Sequence, residues 1–259
     1  MGIWPVAKGS RLNRILTVRW TGQFTDGLFQ SALASFVLFS PERAPNAVSA
    51  ALAFSVVLLP YSLIGPYVGT FLDRYSRQRI IRNCNYLRAL DLLVIAWLVS
   101  NGETGIVLTL FVLFAFGINR LILAGLSAGL PLLVKKEELI AANALAVTGG
   151  TIWVVIGGGV GIAVKNFVDK TYGTDFADSV VIILAVLGFL SAALSCYRLK
   201  KNEIGPLPHE MPEENKGFKE ILEGLKILRR HPDALRGIFA VGMQRSGITA
   251  LTLMALLLE

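Results

Sequence analysis

The sequence is short of the charged residues that soluble proteins place on their surface. Charged side chains make up 17% of its 259 residues and hydrophobic side chains 54%, whereas charged residues form about a quarter of a soluble domain. This balance leaves too little polar surface to cover a soluble domain of this length. It excludes that class and indicates a protein that crosses a membrane several times.

Cysteine and histidine are scarce as well, with two residues of each. Cys84 and Cys196 lie near the same predicted side of the membrane, and His209 and His231 lie in one polar loop far from either cysteine. The sequence therefore predicts neither a disulfide framework nor a metal site, and we expect no cofactor.

Residue patterns that carry catalysis or nucleic-acid binding are also missing. No Ser/His/Asp set or pair of carboxylates stands out, and the glycine-rich stretch 157–161 lacks the Gly-Lys-Ser/Thr element of a phosphate-binding loop. Close packing of helices accounts better for these glycines. The net charge of +7 comes from short basic clusters without the aromatic residues that stack on bases. We expect neither an enzyme nor a protein that binds nucleic acid.

Long apolar runs are what the sequence has in abundance. About twenty apolar residues span a bilayer, and six such runs are followed by the start of a seventh. Each is predicted to be a helix, because backbone polar groups in lipid must be paired within their own segment. The fold class is therefore an all-α polytopic membrane protein. The runs cover residues 17–40, 47–72, 80–99, 104–133, 139–165, 177–198 and 235 onward.

These runs divide the chain into three parts. Residues 1–199 form a predicted bundle of six transmembrane helices, residues 200–233 a cytoplasmic linker, and residues 234–259 the start of a second bundle, a truncated seventh helix. The linker ends with hydrophobic residues at helical spacing between Phe218 and Leu228. Two interpretations of it stay open: an amphipathic helix on the membrane surface, or a solvated connector.

Lysine and arginine residues mark one side of the predicted membrane. They cluster in the N-terminal tail, between the second and third runs, between the fourth and fifth runs, and after the sixth. The opposite loops hold only Arg43, Lys165 and Lys170. Because basic loops stay in the cytoplasm, we expect a multi-pass protein of the cell membrane with a cytoplasmic N-terminus.

A glycine-spaced stretch rich in arginine joins the second run to the third. Gly65 and Gly69 lie one helical turn apart and permit close helix approach, and Asp73 marks the exit from the bilayer. The stretch resembles the loop signature Gly-x-x-x-Asp-Arg-x-Gly-Arg-Arg of major facilitator superfamily transporters. Ser76 stands in place of the second glycine, and Gln78 interrupts the arginine pair. The matching residues are Gly69, Asp73, Arg74, Arg77 and Arg79.

The whole layout is similar to the first half of that superfamily, whose members have two six-helix halves with the substrate site between them. Residues 129–145 look like the loop between the fourth and fifth helices of bacterial members related to drug and macrolide exporters. The resemblance implies an N-terminal fragment of a secondary transporter, a small-molecule or drug exporter driven by proton antiport, whose C-terminal half is missing. The alternative from another class is a non-transporting six-helix scaffold or assembly partner.

The resemblance also implies roles for the loop. Asp73 would meet a helix N-terminus of the second half, which carries a partial positive charge. Arg74, Arg77 and Arg79 would hold loop carboxylates and lipid phosphates. Together with the two glycines, these residues are the predicted cytoplasmic gate.

Ionisable residues inside the predicted spans are the candidates for the transport site, because each is costly there. Asp26, Arg120 and Arg245 lie in the first, fourth and seventh runs, which line the cavity in the resembled family. Asp26 and Arg120 are predicted to pair, either with Asp26 as a proton-binding carboxylate or as a fixed structural ion pair. Arg88 and Asp91 lie three apart on one helix and are predicted to neutralise each other. Polar neighbours that could bind substrate or join helices are Gln23, Gln30 and Asn119.

The topology can be tested by labelling. Single cysteines at Asn101 and Thr174 are expected to react with an impermeant thiol reagent added outside intact cells, whereas one at Gln78 should not. The reverse pattern would contradict the predicted orientation.

Overall fold

We describe the protein from a computed structural model. It describes residues 10–34, 68–69, 71–103, 105–200, 202–207 and 226–258. Within these ranges every regular element is helical, as the sequence predicts. The six long helices are α1 (Ser10–Leu33), α2 (Arg77–Ser100), α3 (Ile106–Gly129), α4 (Leu139–Tyr172), α5 (Thr174–Ser195) and α6 (Pro232–Leu258). Three short 3₁₀ turns adjoin them, at Leu130–Leu132, Lys136–Glu138 and Cys196–Arg198.

The long helices correspond to the first, third, fourth, fifth, sixth and seventh predicted runs. The second run and most of the linker, including its hypothetical amphipathic helix, lie outside the described residues. Three described segments are long and apolar enough to cross a bilayer, namely Ile106–Leu132, Lys136–Tyr172 and Thr174–Arg198. The count of six spans in the first bundle therefore remains a prediction.

Helix α4 is longer than predicted and changes the reading of one loop. Its 34 residues extend for about 50 Å at 1.5 Å per residue, more than the hydrocarbon core of a bilayer. Lys165 and Lys170 belong to this helix, so their assignment to an outer loop is wrong. The Lys165 Nζ atom lies 2.6 Å from Oδ1 of Asp178, whose side chain is fully buried in α5. This ion pair explains why the lysine stays within a helix.

The apolar core has two layers, one toward each end of the bundle. One cluster joins α1, α2, α3 and α5 around Phe29, Ile95 and Ile182. The other joins the N-terminal part of α1 to the end of α3 around Leu12 and Leu126. The polar residues described below lie between these layers, shielded from water on both sides.

Helices α1 and α4 approach so closely that their backbones touch. A Cβ atom on Gly157 would clash with the backbone carbonyl oxygen of Phe24, and one on Gly27 would clash with that of Val154. Small residues allow such contact, which supplies van der Waals attraction between helices in lipid. The prediction that the stretch 157–161 serves helix packing is confirmed.

The basic residues at one end of the bundle remain consistent with a cytoplasmic face, although the orientation is still a prediction. Gln78 is buried, and its Nε2 atom donates a hydrogen bond to the Cys196 carbonyl oxygen at 2.9 Å. A cysteine there would be shielded on either side of the membrane. The exposed neighbour Arg79 is therefore the position that tests the cytoplasmic side.

Two glycines of α4 form a matched test of the contact with α1. Gly157→Ala should lower the midpoint of thermal unfolding in detergent, because overpacking against a backbone costs roughly 1–3 kcal/mol. Gly159→Ala should not, since a Cβ atom there meets nothing within 4 Å. Equal effects of the two changes would show that helix propensity, rather than the contact with α1, determines the cost.

Candidate functional site

A buried arginine lies at the centre of the bundle. Arg88 of α2 is 1% exposed, and its Nη2 atom donates to the Asp26 carboxylate of α1 at 2.6 Å. Its Nη1 atom donates to Oδ1 of Asn119 on α3 at 3.2 Å. The guanidinium carbon lies 3.9 Å from the ring centroid of Phe189 on α5. One side chain thus connects four helices.

The surroundings of Arg88 make this pair strong and costly to break. Asp26 is 4% exposed, so both charges have left water and depend on each other. Removing one partner of such a pair costs roughly 3–5 kcal/mol, because the other charge is then buried alone. The ring of Phe189 adds a favourable cation–π contact. The pair therefore fixes α1 against α2 as long as both residues are charged.

The expected pairing of Asp26 with Arg120 is wrong. Arg120 is exposed, whereas Asn119, the residue before it, faces inward and joins the buried pair. Successive residues of an α-helix are rotated by about 100°, so the two side chains of α3 cannot face the same neighbour. Arg88 reaches Asp26 from α2 instead.

Asp91 does not neutralise Arg88 through a hydrogen bond, contrary to the expectation from their spacing. It lies one turn along α2 and is 4% exposed. Neither of its carboxylate oxygens has a hydrogen-bond partner within the described chain. Arg88 is engaged by Asp26 and Asn119, which leaves Asp91 without a donor. We refer to Asp26, Arg88, Asp91 and Asn119 as the central charge cluster.

The remaining candidates for the transport site lie apart from this cluster. Gln23 is partly buried and packs against Gly150 of α4, and Gln30 is exposed at the other end of α1. Arg245 belongs to α6, but its side chain is outside the described part of the structure. The sequence predicted one group of polar residues, and the structure divides it into a buried set and an exposed set.

An aromatic cleft opens between α1 and α4. Its volume is about 290 Å³, and most of its surface is apolar. Phe24 and Trp153 meet edge to face there, with ring centroids 6.1 Å apart. Sequence reasoning missed this cleft, because its residues lie on two helices that are distant in the sequence. The cleft is lined by Thr17, Trp20, Thr21, Phe24 and Trp153.

The loop before α2 is held mainly by Arg77. This residue is buried, and it donates to Asp73 at 3.1 Å and to the carbonyl oxygens of Ala128 at 3.2 Å and Ile204 at 3.3 Å. Arg77 thus binds the end of α3 and the start of the linker, not lipid phosphate as expected. Gly69 is exposed.

The other residues of the predicted gate give less information. Arg74 is partly buried and Arg79 is exposed, and Gly65 lies outside the described residues. The proposed contact of Asp73 with a second half stays a prediction.

Comparison with known proteins identifies the family. The family model of the Major Facilitator Superfamily matches residues 19–258, which is nearly the whole chain. The chain belongs to the major facilitator superfamily. The all-helical fold and the apolar helices α3, α4 and α5 agree with membership of this membrane transporter superfamily.

Relatives within the superfamily are distant and longer. An uncharacterized MFS-type transporter of Mycobacterium tuberculosis is 29% identical over 249 residues, which are 95% of this chain and 56% of the relative. The macrolide efflux protein A of Streptococcus pyogenes is 22% identical over 227 residues, or 86% of this chain and 52% of the relative. The chain thus spans about half the length of these curated relatives. No solved structure matches it significantly.

A double-mutant cycle tests the partner of Asp26 in this superfamily member. Asp26→Asn and Arg88→Gln should each lower the free energy of unfolding in detergent, and the double variant should lose less than the sum by roughly 0.5–3 kcal/mol, as expected for residues in contact. Asp26→Asn combined with Arg120→Gln should be additive. Additivity with Arg88, or coupling with Arg120, would contradict the described pair.

Proposed function

We propose that the chain forms the N-terminal half of a secondary transporter that exports small, largely apolar molecules from the cell in exchange for protons. Membership of the superfamily supports a transporter, and the named macrolide efflux relative supports export of drug-like molecules. The observation that carries the substrate class is the aromatic cleft between α1 and α4. Pockets for small ligands have this character, with apolar and aromatic walls and few polar groups.

The cleft favours apolar ligands over ionic ones. The hydroxyl group of Thr17, at its edge, already donates to the Asn13 carbonyl oxygen at 2.8 Å, so it can offer a ligand little beyond acceptor lone pairs. Trp153 is partly exposed and presents a large flat surface. Such surfaces bind by stacking and burial of apolar area.

Transport by alternating access needs two halves that rock around a central site. In this proposal the missing half covers the exposed parts of α1, α3 and α4, which include Arg120 and Gln30. Those two residues would then line the cavity with the cleft, and Arg245 would reach it from α6. The buried Asp26 and Asn119 would support the cavity from behind.

Proton coupling is proposed because carboxylates persist inside the bundle. An ionisable residue within a membrane segment is costly, and its usual purposes include proton relay. Asp26 and Asp91 are the two carboxylates of the central charge cluster, so protonation there can change how α1, α2 and α3 are held together.

An efflux assay tests the proposal. The complete reading frame that encodes this chain is expressed in a bacterial strain that lacks its own drug exporters, and retention of radiolabelled erythromycin and of ethidium is measured. Expression should reduce retention of at least one compound, and a protonophore should restore it. Unchanged retention of every compound would favour the scaffold alternative. Reduced retention that resists the protonophore would contradict proton antiport alone.

A matched pair of tryptophan variants connects export to the cleft. Trp153→Ala should restore retention several-fold toward that of cells without the transporter, because it removes one wall of the cleft. Trp97→Ala should not, since Trp97 is 65% exposed on α2 and lies outside the cleft. Equal effects of the two variants at equal expression would contradict the assignment of the cleft.

A further inference from the structure

The central charge cluster has an unequal number of opposite charges. It contains two carboxylates, Asp26 and Asp91, but one guanidinium, Arg88, and all three side chains are at least 95% buried. With both carboxylates ionised, the cluster would hold one uncompensated negative charge between two apolar layers. A buried charge without a counter-charge and hydrogen bonds is so costly that the group becomes neutral instead.

The neighbouring elements supply no second cation. From α3 the cluster meets the neutral Asn119, and the next residue, Arg120, is exposed. The second predicted run, residues 47–72, contains no charged side chain in its sequence.

The other helices offer no second cation either. On α1, the buried Arg19 lies two turns before Asp26, and its Nη1 atom donates to Ser127 of α3 at 3.2 Å. Asp178 of α5 lies near Ala96 of α2, more than a turn beyond Asp91, because its neighbour Ser179 donates to the Ala96 carbonyl oxygen. Asp178 is also paired with Lys165 of α4.

The hydrogen bonds indicate which carboxylate is neutral. Asp26 accepts a 2.6 Å bond from Arg88, and short bonds of this kind join ionised partners. Asp91 accepts none from the residues that the structure describes, although an ionised carboxylate is an acceptor that requires donors. The other titratable side chain near Arg88 on α2 is the Cys84 thiol, which is uncharged and cannot balance a carboxylate.

We propose that the central charge cluster binds one proton and that Asp91 carries it while Arg88 is paired with Asp26. This inference rests on the proton coupling proposed above and names its site. Protonation converts the Asp91 carboxylate to a neutral acid without breaking any bond to Arg88. Loss of that proton leaves two carboxylates competing for one arginine, so the charge state of the cluster is shared and belongs to all three residues.

Infrared spectroscopy of the 259-residue chain in lipid nanodiscs tests the proposal. Aspartate labelled with ¹³C in its carboxyl group identifies the C=O stretch of protonated aspartic acids, which is distinct from that of carboxylates. At neutral pH in potassium buffer, the wild-type chain should show such a band, and Asp91→Asn should abolish it. Arg88→Gln should roughly double it, because Asp26 then loses its counter-charge and also takes up a proton.

Two control variants and one ion distinguish the alternatives. Asp178→Asn and the exposed Asp175→Asn should keep the band, which excludes other aspartates as its source. Asp91→Asn should unfold within a few degrees of the wild type, since the amide has the shape of the neutral acid. The proposal is overturned if the wild-type band is absent, if it persists in Asp91→Asn, or if sodium at constant pH removes it, which would indicate a metal-cation site.

This measurement is independent of export. A band that behaves as expected in a chain whose reading frame exports nothing would support the proton site and refute the proposed function. Proton-coupled export without the band would refute Asp91 as the carrier and leave the proposed function standing.

Discussion

The bundle depends on how a membrane interior accommodates the charge of Arg88. In water this guanidinium would be solvated, but at 1% exposure it must take its partners from the protein. It finds them on three other helices, in Asp26, Asn119 and Phe189. An apolar residue at position 88 could pack in many ways, whereas an arginine is satisfied in few, so the charge restricts how α1, α2, α3 and α5 are arranged.

The opposite side of α1 is held by a contact of another kind. Gly27 and Gly157 bring the backbones of α1 and α4 together, and van der Waals attraction replaces charge there. Helix α1 therefore lies between an ionic contact, whose strength depends on protonation, and a packing contact that does not. A change in the charge of Asp26 would loosen α1 from α2 while leaving it attached to α4.

The helices of this protein are predictable from the sequence, but the pairing of its charges is not. Apolar runs fix the spans, because lipid requires every backbone group to be paired. Side-chain partners are set by helix rotation and by contacts between helices. Spacing within α2 suggested that Arg88 pairs with Asp91, yet the donors of Arg88 go to α1 and α3. Its position on the same buried stripe as Ile81, Leu92 and Ile95 was the available signal.

The division of the polar residues into buried and exposed sets bears on how transport could work. Asp26 and Asn119 are enclosed within the described bundle, whereas Arg120 and Gln30 face outward, where a second half could meet them. A substrate held by the exposed set and the aromatic cleft would not need to touch the carboxylates. Coupling would then pass through α1, which carries Asp26 on one side and cleft residues on another. Proton binding and substrate binding can bias the same helix without sharing a side chain, which is the physical requirement for linkage between two sites.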